Sequence, residues 1–378
     1  MMKPQSLSVL VSLLVFLGEL FGFSAGFAPS SRKCNDDIAS RRVLLRSYER
    51  FSFLAMEASS AIPGPDPDVS FPLLKSYTFD GWNLAYQYKP AAEGFENANP
   101  LLLVHPVGIG LSSWFWNKFM ETWEGPMLVA IDLIGCGIQH GADPWDPDER
   151  GLSVPLGWVK AAEALMQEVM VEAPIKQLPN LLSLLGGSSN RKIPQYSVVV
   201  QGGLAPVGVL LASRNPMQVE KLVMTSPPTW QQMTNGVSET ELAKNYEFFR
   251  SPIRGRLAFS LLESRWAVQF FSNLFLFAEP CDKTWLDEVE KEACKEARPP
   301  VQVFNSGFCL ARSFEEELAS LSQPTLILQG SEDTARIPNR AEYANTMQQC
   351  SLQEIRGKNV LPWESSTDVV RAIQNFLL

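Results

Sequence analysis

Histidine is scarce: the 378 residues carry two, His105 and His140. The six cysteines (Cys34, Cys136, Cys281, Cys294, Cys309 and Cys350) are widely scattered and form no Cys-x-x-Cys pair. Too few imidazoles and such spacing exclude a Cys/His zinc site, and the thiols read as mostly buried in a reducing compartment. No metal and no cofactor is expected. Positive charge is short as well, with 32 Lys and Arg against 41 Asp and Glu, a net charge of −9 and no basic cluster. That argues against nucleic-acid partners, because phosphate backbones are held by clustered cations. Charged residues make up only 19% of the chain and hydrophobic ones 46%. Such a composition excludes a largely disordered chain and fits a packed globular one.

The first 60 residues differ from the rest. Lys3, the apolar run Val9–Leu17 with Leu20 and Phe21, and the small stretch Ser24-Ala25-Gly26 follow the order of a signal peptide over residues 1–26. The apolar run is too short for a comfortable membrane span. Residues 27–60 then carry Arg32, Lys33, Arg41, Arg42, Arg46 and Arg50 among serines, as a transit peptide or a disordered leader does. To Met56 the segment is net +3, which leaves −12 on the remainder. The junction Ser24-Ala25-Gly26-Phe27-Ala28-Pro29 resembles the Ala-Phe-Ala-Pro motif of two-part plastid leaders in algae with complex plastids. That resemblance implies cleavage before Phe27 and a plastid destination; simple secretion with a basic propeptide is the alternative.

Beyond the proline-rich joint at 62–67, Tyr77–Phe79 and Leu84–Tyr88 flank Asp80-Gly81 and predict a hairpin. Leu101–Val104 is a short continuous apolar run, as expected of a strand buried on both faces of a parallel sheet. Met127–Ile131, Ser197–Val200, Lys221–Thr225 and Thr325–Leu328 repeat it. Helical spacing lies between and after them, at Trp158–Val171, Pro206–Arg214, Ala341–Met347 and Asp368–Leu377. Alternation of buried strand and helix predicts an α/β fold with a doubly wound, mostly parallel sheet over 75–378. The interval 227–324 offers no convincing buried strand and interrupts the rhythm.

Three landmarks give the fold a family likeness. Leu101–Val104 followed by His105-Pro106-Val107-Gly108 resembles the strand and turn that supply part of the oxyanion hole in the α/β-hydrolase superfamily. Asp132-Leu133-Ile134-Gly135-Cys136-Gly137 resembles its Asp-Leu-x-Gly-x-Gly turn, and Pro324–Gln329 with Gly330-Ser331-Glu332-Asp333 resembles the strand that ends in the catalytic acid. The resemblance implies a helical cap at about 228–323. Val200-Gln201-Gly202-Gly203-Leu204-Ala205-Pro206 is similar to the nucleophile elbow of the haloalkane dehalogenase and epoxide hydrolase branch.

The same likeness implies a triad that has been emptied. Gly202 stands at the nucleophile position, or Gln201 if the register slips by one, and neither side chain can attack carbon. Asn359 stands where the loop Gly357–Glu364 should carry the basic histidine, and an amide is no general base. Both histidines precede the elbow, so the chain order nucleophile, acid, histidine cannot be built. Asp333 remains at the acid position, with a turn or helix-cap aspartate as the plainer reading. His105, Pro106 and Gly203 are expected around the oxyanion region at the pocket floor, His105 as an anchor of the turn rather than a reacting group. His140 is expected to be exposed and Cys136 to be a buried thiol.

The stretch Leu257–Phe277 is dense in Leu, Phe and Trp, but Glu263 and Arg265 interrupt it and argue against a transmembrane span. Its aromatics read either as core packing or as the lining of a pocket for a large apolar ligand such as an acyl or isoprenoid chain. The expected function is a plastid protein without standard triad catalysis that binds a hydrophobic small molecule or a protein partner. A non-standard hydrolase or lyase acting on a lipid or pigment ester through His105, Asp132 or Cys136 is the alternative.

Overall fold

The computed structural model describes residues 72–175, 193–234, 238–305, 313–334 and 337–377. The expected leader, 1–26 and 27–60, lies outside them. One sheet holds β1 (Leu73–Phe79), β2 (Trp82–Lys89), β3 (Leu101–Val104), β4 (Leu128–Ile131), β5 (Tyr196–Gln201), β6 (Val219–Thr225), β7 (Thr325–Gly330) and β8 (Cys350–Ile355). Their spatial order is β1-β2-β4-β3-β5-β6-β7-β8. The first two strands form the expected hairpin, Phe79 opposite Trp82, with Asp80 and Gly81 at φ of 47° and 74°. Two positive φ values make the turn twist with its strands. β2 runs antiparallel to β4, and every pairing from β4 onward is parallel.

The hairpin signal of the sequence accounts for β1 and β2, and its five apolar runs for β3 to β7. β8 escapes them because it is an edge strand whose Ser351, Gln353 and Glu354 face solvent, so it has no continuous hydrophobic signature. The helices are α1 (Asn117–Thr122), α2 (Leu156–Ile175) and α3 (Ala205–Arg214), then, between β6 and β7, α4 (Trp230–Thr234), α5 (Glu239–Arg250), α6 (Arg254–Leu262), α7 (Arg265–Phe271), α8 (Lys283–Glu292), α9 (Arg298–Asn305) and α10 (Glu315–Ser320). After β7 come α11 (Ile337–Thr346), α12 (Leu361–Glu364) and α13 (Ser366–Leu377). Among the described residues no strand interrupts α4 to α10, which form the cap and its return to the sheet.

Side chains alternate across the sheet and build one core on each face. Leu102, Val104, Val198 and Val200 pack under α2 and α3, whereas Leu101, Leu103, Val199 and Val223 pack under α1 and α13. The cap is fastened to the second core by tryptophans. Trp285 of α8 meets Trp114, beyond β3, at 5.2 Å and Trp363 of α12 at 5.5 Å, edge to face in both cases. Asp282 joins them: one oxygen caps α8 by accepting from the Trp285 amide at 2.8 Å, and the other accepts from Trp363 Nε1 at 2.9 Å and Lys118 Nζ at 2.6 Å. An N-cap aspartate that also receives two side-chain donors locks the start of the helix to the core.

Candidate functional site

β5 ends at Gln201 in extended backbone, and Gly202 turns the chain at φ 59° into a short 3-10 turn, Gly202–Leu204, that leads into α3. The left-handed turn puts Gly202 at the tip of the elbow. A Cβ on Gly202 would have no neighbour within 4 Å, so the tip faces open space and offers it no side chain. Gln201, the other candidate for the tip, is engaged elsewhere. Its Nε2 donates to the Asn359 carbonyl at 3.0 Å and its Oε1 accepts from Thr225 Oγ1 at 2.5 Å.

Asn359 follows β8 and lines the same cavity as Gly202. Its amide donates to the carbonyl of Leu276 at 3.0 Å, so the loop at the base position is stitched to the cap. Asp333 lies just past β7, and Arg340 of α11 donates from Nη2 to its Oδ2 at 2.6 Å. Arg340 is fully buried and also donates from Nε to the Pro227 carbonyl at 2.9 Å. Asp333 is thus one half of a buried ion pair and is absent from the cavity lining. Nothing in the sequence marks Arg340 as its partner, because the two come from separate elements.

His105, expected at the pocket floor as an anchor of its turn, is absent from the cavity lining. Its Nδ1 donates to the Pro106 carbonyl at 2.8 Å and its Nε2 accepts from the Leu133 amide at 3.2 Å. These partners require a neutral ring with its proton on Nδ1, and burial lowers its pKa in the same sense. His105 lies behind the cavity and ties two turns together, whereas Pro106 and Gly203 do line it. The Cys136 thiol is buried and pushed well above its ordinary pKa by that burial, so it is a poor thiolate.

His140, expected in solvent, is half-buried against Asp132, Nδ1 to Oδ2 at 2.7 Å. The second Asp132 oxygen accepts from the Ser113 amide at 2.6 Å. Burial by itself would raise the Asp132 carboxyl, but His140, His105 and the Ser113 amide hold it below its ordinary value. Burial likewise opposes protonation of His140, and Asp132 outweighs it, so that pKa is raised. Ser113 Oγ approaches the same Nδ1 at 3.4 Å. A relay needs one ring nitrogen for the acid and the other for the nucleophile, so this Ser, His and Asp group cannot work as a triad. From α8, Glu292 accepts from the Ile138 amide at 2.9 Å beside the pair, and burial followed by the Asp132 charge pushes its carboxyl up to about 7.

Between elbow and cap lies a cavity of about 190 Å³. Its walls are apolar and aromatic, with Phe249, Phe259 and Phe271 from the cap opposite Pro106 and Val107 from the core. Among the described residues, no charged side chain lines it. Its polar lining residues are Gln201, Asn359 and Ser226 on the core side and Ser272 on the cap side, where Ser272 Oγ accepts from Trp285 Nε1 at 3.0 Å. Ser226 was missed by the sequence reading. It follows β6 at φ 47°, an uncommon conformation for a residue with a side chain, and its buried Oγ has no hydrogen-bond partner. The Ser226-Pro227-Pro228 run at a strand end was the available signal. Gly203 packs so closely on the Phe304 ring that a Cβ would come within 2.6 Å of it.

No protein-family model and no curated protein matches the chain, whereas solved structures do. A loop variant of a haloalkane dehalogenase from Bradyrhizobium elkanii superposes with a TM-score of 0.55 at 18% identity, over 81% of this chain and 96% of that one. An enol-lactonase from Burkholderia xenovorans gives 0.54 at 15% identity, covering 80% and 99%. A serine hydrolase involved in carbazole degradation gives 0.54 at 13% identity, covering 81% and 99%. The protein therefore has the α/β-hydrolase fold, as its strand order and elbow already indicate. At these identities the likeness concerns the fold alone.

Proposed function

We propose that this is a non-catalytic α/β-hydrolase-fold protein that holds a small, uncharged, largely apolar molecule between elbow and cap, and that it does so in a plastid. The observation that carries the reading is the cavity itself: Gly202 and Asn359, at the nucleophile and base positions, both line it and contribute neither a nucleophile nor a base. A charged ligand would lose its hydration against walls that offer no counter-charge. Ser226 and Asn359, polar residues of the lining, suit a single carbonyl or hydroxyl oxygen. With about 190 Å³, the space is slightly larger than apolar cavities of about 150 Å³ that take up benzene. A ring-sized molecule fits it better than the long acyl or isoprenoid chain that the sequence suggests. The alternative of a non-standard hydrolase or lyase would use His105, Asp132 or Cys136, and none of the three lines the cavity.

Acetophenone, toluene and benzoate share a size and differ in head group, so calorimetric titration of the full chain with each tests the site. Acetophenone is expected to bind best, toluene about 10-fold more weakly for want of its hydrogen bond, and benzoate more weakly still. Benzoate binding as tightly as acetophenone, or turnover of an ester panel that Asn359→Ala abolishes, would overturn the proposal. The destination rests on the two-part leader, and a fluorescent fusion of residues 1–60 in an alga with a complex plastid tests it. Accumulation in the medium instead of the plastid would mean secretion.

A further inference from the structure

Helices α6 and α7 have two apolar faces each. Their inner faces line the cavity, through Phe259 and Leu262 on α6 and Val268 and Phe271 on α7. On the opposite side, Ile253 at the N-cap of α6, Leu257 and Leu261 recur four residues apart, and so do Trp266, Phe270 and, in the turn after α7, Leu274. These six are between 44% and 71% exposed, and the Trp266 and Phe270 rings stack at 5.8 Å. The fold packs the first face and leaves the second in water, at a contiguity that a monomer seldom carries without a use. Inner faces that share one cavity send both outer faces to the outside of one cap wall.

Charge then selects the partner. From 253 to 274 the sole acid is Glu263, which pairs with Arg298 at 2.5 Å. Arg265 is balanced by Asp287 and Glu290, each at 2.8 Å. Arg254 and Arg256 stand exposed on α6 beside Leu257, so a protein of net charge −9 presents here a face that is basic and apolar. Among the described residues no helix is long and apolar enough to cross a membrane. Short helices with Trp, Phe and Leu on one side and arginine beside them are built to lie at a bilayer surface.

We propose that the outer face of α6 and α7 docks on an anionic bilayer surface, Trp266, Phe270 and Leu257 entering the headgroup layer and Arg254 and Arg256 meeting lipid phosphates. The long arginine stems let the guanidinium groups stay at the phosphate level while the helix sinks. Docking there sets the cavity one helix thickness from the lipid. It does not depend on what the cavity holds.

Hydrogen exchange of the full chain, titrated with phosphatidylglycerol or phosphatidylcholine vesicles, tests this, because it locates the contact whether or not other segments touch lipid. Peptides within 253–274 are expected to gain protection with phosphatidylglycerol only, and to lose it at high salt. Arg254→Gln with Arg256→Gln is expected to weaken the apparent partition about 30-fold. Trp266→Ser with Phe270→Ser, both at exposed positions, should abolish the protection while leaving the rest of the exchange pattern unchanged. Three results would overturn the proposal: no protection with either lipid, equal protection with both, or protection without vesicles that grows with protein concentration and vanishes in W266S/F270S. The last would make the face a contact between two copies of this chain.

Discussion

The carboxylate of Asp333 accepts a hydrogen bond from Nη2 of Arg340 at 2.6 Å, and the arginine is fully buried with its Nε on the carbonyl of Pro227. Arg340 therefore ties α11 to the loop after β7 through Asp333 and to the loop after β6 through Pro227. Truncating one partner of a buried pair leaves the other charge without compensation, at about 3–5 kcal/mol. Asp333→Ala is expected to lower the unfolding free energy by that amount in urea titration. A loss below 1 kcal/mol would mean that the pair does not serve stability.

Gly202, a glycine at the elbow tip with open space in front of it, predicts what a nucleophile there would require. Gly202→Ser supplies a hydroxyl without a base, and Asn359→His a base without a nucleophile, so neither single variant is expected to react with a fluorophosphonate probe. The double variant is expected to react slowly, since Asp333 is occupied by Arg340 and does not orient the new imidazole. In-gel labelling reads all four proteins. Labelling of the unsubstituted chain at any residue of the cavity would contradict the reading of the site.

The Glu292, Asp132 and His140 cluster predicts the pH dependence of stability. Glu292 has its pKa raised from 4.5 to about 7, so its stabilising contribution is complete below about 4.5 and is lost as pH rises through 7. The raised pKa of His140 acts in the same direction, whereas the lowered pKa of Asp132 matters only on acidification. Unfolding free energy is expected to fall between pH 5 and pH 8, by up to about 3 kcal/mol from Glu292. Urea titrations across that range check it, and Glu292→Gln should reduce the slope to the part that His140 contributes. A slope unchanged in that variant would place the titrating group elsewhere.

Ser226 sets binding against stability. Its buried hydroxyl lacks a partner, and such a group costs about 1–3 kcal/mol. Ser226→Ala keeps the backbone demand of φ 47° and removes the orphan, so thermal unfolding should shift upward by the equivalent of about 1 kcal/mol. Acetophenone affinity should fall about 10-fold in the same variant, because the oxygen loses one partner. Unchanged affinity would remove Ser226 from the site.

The architecture was legible because its elements have local signatures. Leu101–Val104 is a run of four apolar residues buried on both faces, and Asp80-Gly81 is a turn pair with the φ values that the hairpin needs. β8 was not legible: at a sheet edge its alternation of polar and apolar residues looks like a loop. The apolar stretch 257–277 shows the same limit from the other side. Leu262 and Phe271 line the cavity, Phe275 and Phe277 are packed, and Trp266 and Phe270 are exposed, although all share one composition.

The sequence by itself determined the α/β class, the hairpin that opens it, and the absence of a histidine after the elbow. These are matters of residue identity, order and local periodicity. Only the tertiary structure decided what the remaining groups do. Asp333 is engaged by Arg340, His105 by Pro106 and Leu133, His140 by Asp132, and Ser226 is left without a partner beneath the cap. Each of those outcomes depends on which distant side chain or backbone group arrives within about 3 Å, and the packing of strands and cap sets that distance.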